Sequence, residues 1–152
     1  MTREYPKHPL VGVGVVVWRD DTVLLIRRGK APRKGQWSLP GGLQEVGETV
    51  FEAGRREIRE ETGLDITIGG IIDIVDSIEH DDDGLVRFHY TLIDIWAVWL
   101  AGEASAGSDA AAVRWVHVNA LNDYDLWHET VRIIEAAAEQ RAEARHARNQ
   151  VL

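Results

Sequence analysis

The sequence predicts an α/β protein, and three features carry that reading. Runs dense in valine and isoleucine recur along the chain as strands do. A segment opening at Thr49 with Glu52 three residues on, and closing at Gly63, carries the start and stop signals of a helix. A long charged segment with one apolar side ends the chain as a second helix. The 152 residues suit one compact domain with its own core, expected over 1–152.

In chain order, "VGVGVVVWRDDTVLLIRR" is two strands joined by a tight turn at Asp20-Asp21. Its Gly12-x-Gly14 lacks the third glycine of a dinucleotide fingerprint and leads into a strand where that motif needs a helix. "GKAPRKGQWSLPGG" is a loop by its Gly, Pro and Lys content, and its Pro40-Gly41-Gly42 ending lets a ligand approach the backbone closely. The helix from Thr49 contains one poor former, Gly54. Beyond Leu64, "DITIGGIIDIVDSIEH" and "LVRFHYTLIDIWAVWL" form two long strands around "DDDG", and "AAVRWVHV" another. The last helix, "DLWHETVRIIEAAAEQRAEARHARNQ", should bury Leu126, Val131, Ile134 and Ala138, with its final residues in solvent.

Composition narrows the function. The chain has no cysteine, so disulfides, thiolate catalysis, zinc-thiolate sites and iron-sulfur clusters are excluded, and any metal must be held by oxygen or imidazole. The formal charge of −8 argues against a nucleic-acid partner, which needs a basic footprint. "MTREYPKHPL" lacks the apolar core of a signal peptide, and no apolar run approaches the roughly 18 residues that span a bilayer. A cytoplasmic protein with no membrane partner is expected.

The most informative stretch is "REIREETG", Arg56–Gly63. On a helix, Glu57, Glu60 and Glu61 project from one face, and like charges at that spacing weaken the helix by a few tenths of a kcal/mol per pair. A hard divalent cation such as Mg²⁺ would offset them, since it favours a few carboxylates plus water and phosphate oxygens. Alternatively the face is merely solvated, with Arg55, Arg56 and Arg59 pairing the acids. The six histidines are scattered without a His-x-x-x-His pair and are assigned to no metal.

Reading outward, Gly42, Glu48, Arg56, Glu57, Ile58, Glu60, Glu61, Gly63 and Leu64 stand at fixed spacing. This pattern resembles the Nudix box at every defining position. The strand order, the "W-x-L-P-G-G" loop and the final helix extend the resemblance over most of the chain. The resemblance implies a mixed β-sheet in an α/β/α sandwich, and a hydrolase that uses Mg²⁺ or Mn²⁺ to split the diphosphate of a nucleoside diphosphate linked to another group. It implies Glu57, Glu60 and Glu61 as metal ligands, with the Gly41 carbonyl adding a further one. Arg56 would pair with Glu48 and orient the loop against the helix, while Ile58 and Leu64 face the core.

For the general base the resemblance leaves Glu60, Glu61 or an acid outside the box, with Asp109 and Asp81–Asp83 available and a surface-turn role the default for each of those four. Arg28, Trp37 and Gly42 are the candidate substrate-binding residues, Trp37 as a stacking platform or a packing anchor. In "FHYTLIDIW", Phe88, Tyr90, Leu92, Asp94 and Trp96 alternate with His89, Thr91, Ile93 and Ile95, and either face is open to line a cleft.

Several subfamily markers are absent. No proline follows Pro40, no tyrosine falls within Ile78–Asp82, and the Pro-Gly-Gly is preceded by Leu39 rather than phenylalanine. About ten residues precede the first strand, which leaves the compact form of the family. The expected substrate is ADP-ribose or a related nucleotide sugar, cleaved to a nucleoside monophosphate and a phosphorylated product. The alternatives are a MutT-like nucleoside triphosphate pyrophosphohydrolase and, from another class, a non-catalytic nucleotide-sugar sensor. The resemblance also raises a homodimer.

Overall fold

The computed structural model describes residues 2–31, 33–107 and 109–151; Pro32 and Ser108, which fall inside loops read from the sequence, lie outside them. The first two strands, β1 (Leu10–Arg19) and β2 (Thr22–Arg28), make the expected hairpin, with Asp20 at φ 54° in its turn. They pair only at Trp18↔Val23 and Arg19↔Thr22 and then part. Two short strands fill the gap between them: β3 (Trp37–Ser38) pairs with β2, and β4 (Gly41–Leu43) with β1. The segment expected to be all loop is therefore partly strand. Its few paired residues include two glycines and show no strand pattern; the open edges of β1 and β2 supply the hydrogen bonds that its own propensity does not.

The long strands β5 (Asp65–His80) and β6 (Val86–Ala101) and the shorter β7 (Ala110–His117) complete a seven-stranded sheet, ordered β3-β2-β1-β6-β5 with β7 on the other edge of β2. The β1–β6 pair is parallel from Leu10↔Tyr90 to Trp18↔Val98 and the others are antiparallel, so the sheet is mixed. A 3₁₀ helix over Val118–Tyr124 leads into the closing helix.

The first helix, α1 (Val50–Thr62), starts at Thr49, whose hydroxyl accepts the Glu52 N–H, and ends at Gly63 in the left-handed conformation, φ 77°. It packs on one face of the sheet, where Val13, Val15, Val17 and Leu24 meet Ala53 and Ile58. On the other face Val16, Trp18, Val23 and Leu25 meet Ile133, Ile134 and Ala137 of α2 (His128–Val151). Alternate residues of β1 and β2 thus bury against opposite helices, which explains their runs of consecutive apolar residues and gives the α/β/α sandwich. Gly54 is no blemish: a Cβ there would stand 2.6 Å from Ile95 Cδ1, so its absence lets α1 lie close to the sheet. The apolar side of α2 is turned from the expected one. Ile133 and Ala137 are buried with Ile134, whereas Val131 and Ala138 are only partly covered and Leu126 precedes the helix. Residues 145–150 are exposed, as expected of the helix end.

Candidate functional site

The capped start of α1 and the β4 strand come together around Arg56. Its guanidinium grips Glu48 through two bonds, Nε to Oε2 at 2.7 Å and Nη2 to Oε1 at 2.9 Å, and donates to the Leu43 carbonyl at 2.9 Å. Its remaining nitrogen reaches Glu57 at 2.8 Å and Glu60 at 3.2 Å. The Glu48 hydrogen bond is the largest influence on the guanidinium's pKa, raising it further, and Arg56 holds the Glu48 carboxyl below its usual range. Helix and loop are clamped together by one side chain. Arg59 turns instead to Asp65, at 2.7 Å.

The three box acids have unlike surroundings. Glu60 is more than half exposed. Glu57 is half-buried against Gly42, where a Cβ would collide with its carboxylate, and burial raises its pKa although Arg56 opposes the shift. Glu61 is 8% exposed, and its Oε2 accepts the Gly41 N–H at 3.0 Å. Burial pushes its pKa up to about 7, the Gly41 bond opposing and Glu57 adding to the rise. Among the described residues no three His, Cys, Asp or Glu side chains form a ready-made cation cage. The donor set nevertheless fits Mg²⁺, which takes one or two carboxylates and keeps waters and phosphate oxygens for the rest. Glu57 and Glu61 stand together, and a cation would compensate Glu61's buried charge.

Two cavities meet here. One, of about 420 Å³, is lined by Glu57, Glu60, Glu61, Lys30, Asp109 and Phe88 among others. The other, of about 210 Å³, is lined by Trp37, Leu39, Tyr90, Leu92, Asp94 and Trp127 among others. Arg3, Arg28, Gly41 and Gly42 line both. The part-opened β1–β2 hairpin creates this junction, because β4 enters the gap and carries its two glycines to the common wall. Gly41, at φ 153°, lies so near β1 that a Cβ would collide with the Val13 carbonyl.

Glu57, Glu60, Glu61, Gly41, Gly42, Arg28, Trp37 and Asp109 each line one of these cavities and Arg56 braces their acids, whereas Asp81–Asp83, the other candidate bases, line neither. Arg28 is largely buried, which lowers its pKa. Trp37 packs edge-on to Tyr124 at 5.3 Å, with the Arg114 guanidinium 5.2 Å from its ring centre, while still lining the smaller cavity. Asp109 pairs with Lys30 at 2.7 Å on the rim of the acidic cavity. Asp81 caps its own turn, accepting the Asp83 and Leu85 N–H groups and the Tyr5 hydroxyl. Of the two faces of β6, the Phe88–Trp96 face supplies the cavity linings.

Sequence reading did not single out Arg3, Trp127 or Glu129 as site residues. Arg3 reaches both cavities on a segment tied down by Tyr5, whose N–H donates to the Arg87 carbonyl at 2.8 Å, and no local pattern marks that placement. For Asp94 a signal existed: one charged residue inside the apolar run "TLIDIWAV".

A mixed sheet between two helices, with a carboxylate-bearing helix set against a Gly-Gly strand, defines the Nudix class of fold. The chain belongs to the NUDIX domain family, which matches residues 8–137. Members of this family act on acid anhydrides of phosphorus, and the enzyme class of the chain is accordingly that of a pyrophosphohydrolase. Among its relatives, an ADP-ribose pyrophosphatase from Methanocaldococcus jannaschii is 37% identical over 82% of this chain and 71% of its own length. A human 8-oxo-dGDP phosphatase is 31% identical over 90% of this chain, which spans only 41% of that protein. The crystal structure of a MutT NUDIX hydrolase from Burkholderia pseudomallei superposes with a TM-score of 0.75 at 32% identity, over 86% of this chain and 98% of that one. No helix among the described residues is long and apolar enough to cross a membrane.

Proposed function

We propose that the protein hydrolyses the diphosphate of ADP-ribose or a related nucleotide sugar, releasing a nucleoside monophosphate and a phosphorylated product, with Mg²⁺ or Mn²⁺ as cofactor. The observation that carries this reading is the wall shared by an aromatic cavity and an acidic one, formed by Arg3, Arg28, Gly41 and Gly42. A nucleoside would occupy the aromatic side, and the diphosphate would pass along two guanidinium groups and a backbone stripped of Cβ atoms into the acidic side. Arginine suits that position because it offers several donors to phosphate oxygens.

Glu57, Glu61 and the Gly41 carbonyl would hold the cation, with Glu60 at its solvent side. When bound, the cation neutralises the diphosphate and lowers the pKa of water. Arg56, fixed by Glu48, would act by positioning Glu57 and Glu60. Glu60, Glu61 and Asp109, all in the same cavity, are the candidate acceptors for the proton of the attacking water. The relative named an ADP-ribose pyrophosphatase supports this substrate. A nucleotide with an oxidised guanine, cleaved in the MutT-like manner, is the second reading, supported by the human relative's name.

Product analysis with Mg²⁺ on ADP-ribose, nucleotide sugars and canonical and oxidised nucleoside di- and triphosphates tests the proposal. Cleavage of ADP-ribose to AMP, lowered at least about a hundredfold by Glu61→Gln, is the expected result. Preference for an oxidised guanine nucleotide would replace the substrate class. Tight binding without cleavage of any compound would replace the enzyme with a nucleotide-sugar sensor.

A further inference from the structure

The aromatic cavity contains an acid that has no role in the reaction described above. Asp94, in the middle of β6, is 6% exposed and hydrogen-bonds to no described residue. The nearest cation is already engaged: Arg132 of α2 donates to Asp73, the cross-strand partner of Asp94, at 3.0 Å and also binds Glu129. Four residues earlier on the same strand face, the Tyr90 hydroxyl is fully buried without a hydrogen-bond partner. Gly14 of β1 makes room for the acid, since a Cβ at that position would collide with Asp94 Oδ1. A largely buried carboxylate without a hydrogen-bond partner costs stability, and on a cavity wall it asks for an occupant with hydrogen-bonding groups.

We propose that Asp94 is a specificity-determining residue that accepts an N–H from the exocyclic amino group of a purine bound in the aromatic cavity. The inference rests on the reading of that cavity as the nucleoside end of the site, and on that reading the group is the 6-amino of adenine. The cavity favours a flat, uncharged heterocycle over a cation, because Trp37 and Trp127 offer faces for stacking while Arg3, Arg28 and Arg33 also line it and repel positive charge. Burial pushes the Asp94 pKa up to about 6; Arg132 opposes the shift, and Asp73 and Glu129 add to it. The carboxyl is therefore mostly ionised near pH 7 and takes up a proton below about pH 6, and either form retains an oxygen that accepts a neutral N–H. Glu79, Arg3, Arg28 and Arg33 are the other charged groups of the surrounding wall.

The test is calorimetric titration of AMP and of purine riboside 5′-monophosphate, which lacks only the amino group, into wild type, Asp94→Leu and Asp94→Asn, each checked for folding by its melting transition. Wild type should bind AMP about tenfold more tightly than the amino-free ligand, the worth of one hydrogen bond to a buried acceptor. Asp94→Leu should bring that ratio near one, and Asp94→Asn should keep most of it, because the amide carbonyl also accepts. Equal ratios in wild type and Asp94→Leu, no preference in wild type, or no binding of AMP would each overturn the inference. The titration reads no turnover, so the two proposals fail separately. A protein that cleaves nothing yet discriminates the two monophosphates keeps this inference and loses the hydrolase reading, and one that cleaves ADP-ribose with equal ratios does the reverse.

Discussion

Glu61 and Asp94 are both acids that the fold withdraws from water, and their titration is linked to stability. For Asp94 the folded pKa of about 6 lies above its ordinary value of 3.8, so the native state binds the proton more tightly than the unfolded chain. Its favourable contribution is then present at low pH and is lost as pH rises from about 4 to about 6. Asp94→Asn should leave stability at pH 4 nearly unchanged and raise it by roughly 1–3 kcal/mol at pH 8, read by urea unfolding at both values. Glu61 titrates at about 7 by the same cause. Mg²⁺ should therefore raise the melting temperature more at pH 8 than at pH 6, where the ion must displace a proton. An equal rise at both values would separate the cation from Glu61. The two residues differ in legibility. The spacing of Glu61 with Glu57 and Glu60 is local and visible in sequence, whereas the isolation of Asp94 depends on Arg132, 38 positions away, having been taken by Asp73 and Glu129.

At the scale of elements, α1 is the piece on which the site is mounted, and its two ends are held differently. The capping box and the Gly63 stop are local chemistry and stand where the sequence places them. At Gly63 a Cβ has room, its nearest neighbour being Ser105 Oγ at 3.6 Å, so Gly63→Ala should cost only the left-handed conformation, about 1 kcal/mol. Gly107 is the opposite case. Its N–H donates to the Glu61 carbonyl at 2.7 Å, and a Cβ would collide with the Glu60 carbonyl oxygen. Gly107→Ala should push the 102–107 segment off the helix end and lower the hydrolysis rate along with the melting temperature, whereas Gly63→Ala should lower only the latter. A Gly107→Ala protein with wild-type activity would free that loop from any part in the site. Nothing in "GEASAGSD" marks such a contact beforehand, because it is made between segments 46 residues apart, from Glu61 to Gly107.

Across the whole molecule, the sheet is closed from both sides, and α2 is fastened partly by Arg141. Its guanidinium lies 3.9 Å from the ring centre of the buried Trp18 and donates to the Asp20 carbonyl at 2.7 Å. Arg141→Ala should destabilise the protein by about 1–2 kcal/mol without changing hydrolysis, since it touches neither cavity. Ending the chain after Ala144 should leave the melting temperature almost unchanged, because residues 145–150 are exposed. The sequence by itself determined the class of fold, the two helices, the long strands and the carboxylate face, because hydrophobic period, cap chemistry and box spacing act over a few residues. Only the tertiary structure decided that β1 and β2 part to admit β4, that Arg3 joins Arg28 at the wall of both cavities, and that Asp94 stays without a partner. Those outcomes depend on which strand edges find partners and which charges meet across the sheet, and no local pattern encodes that competition.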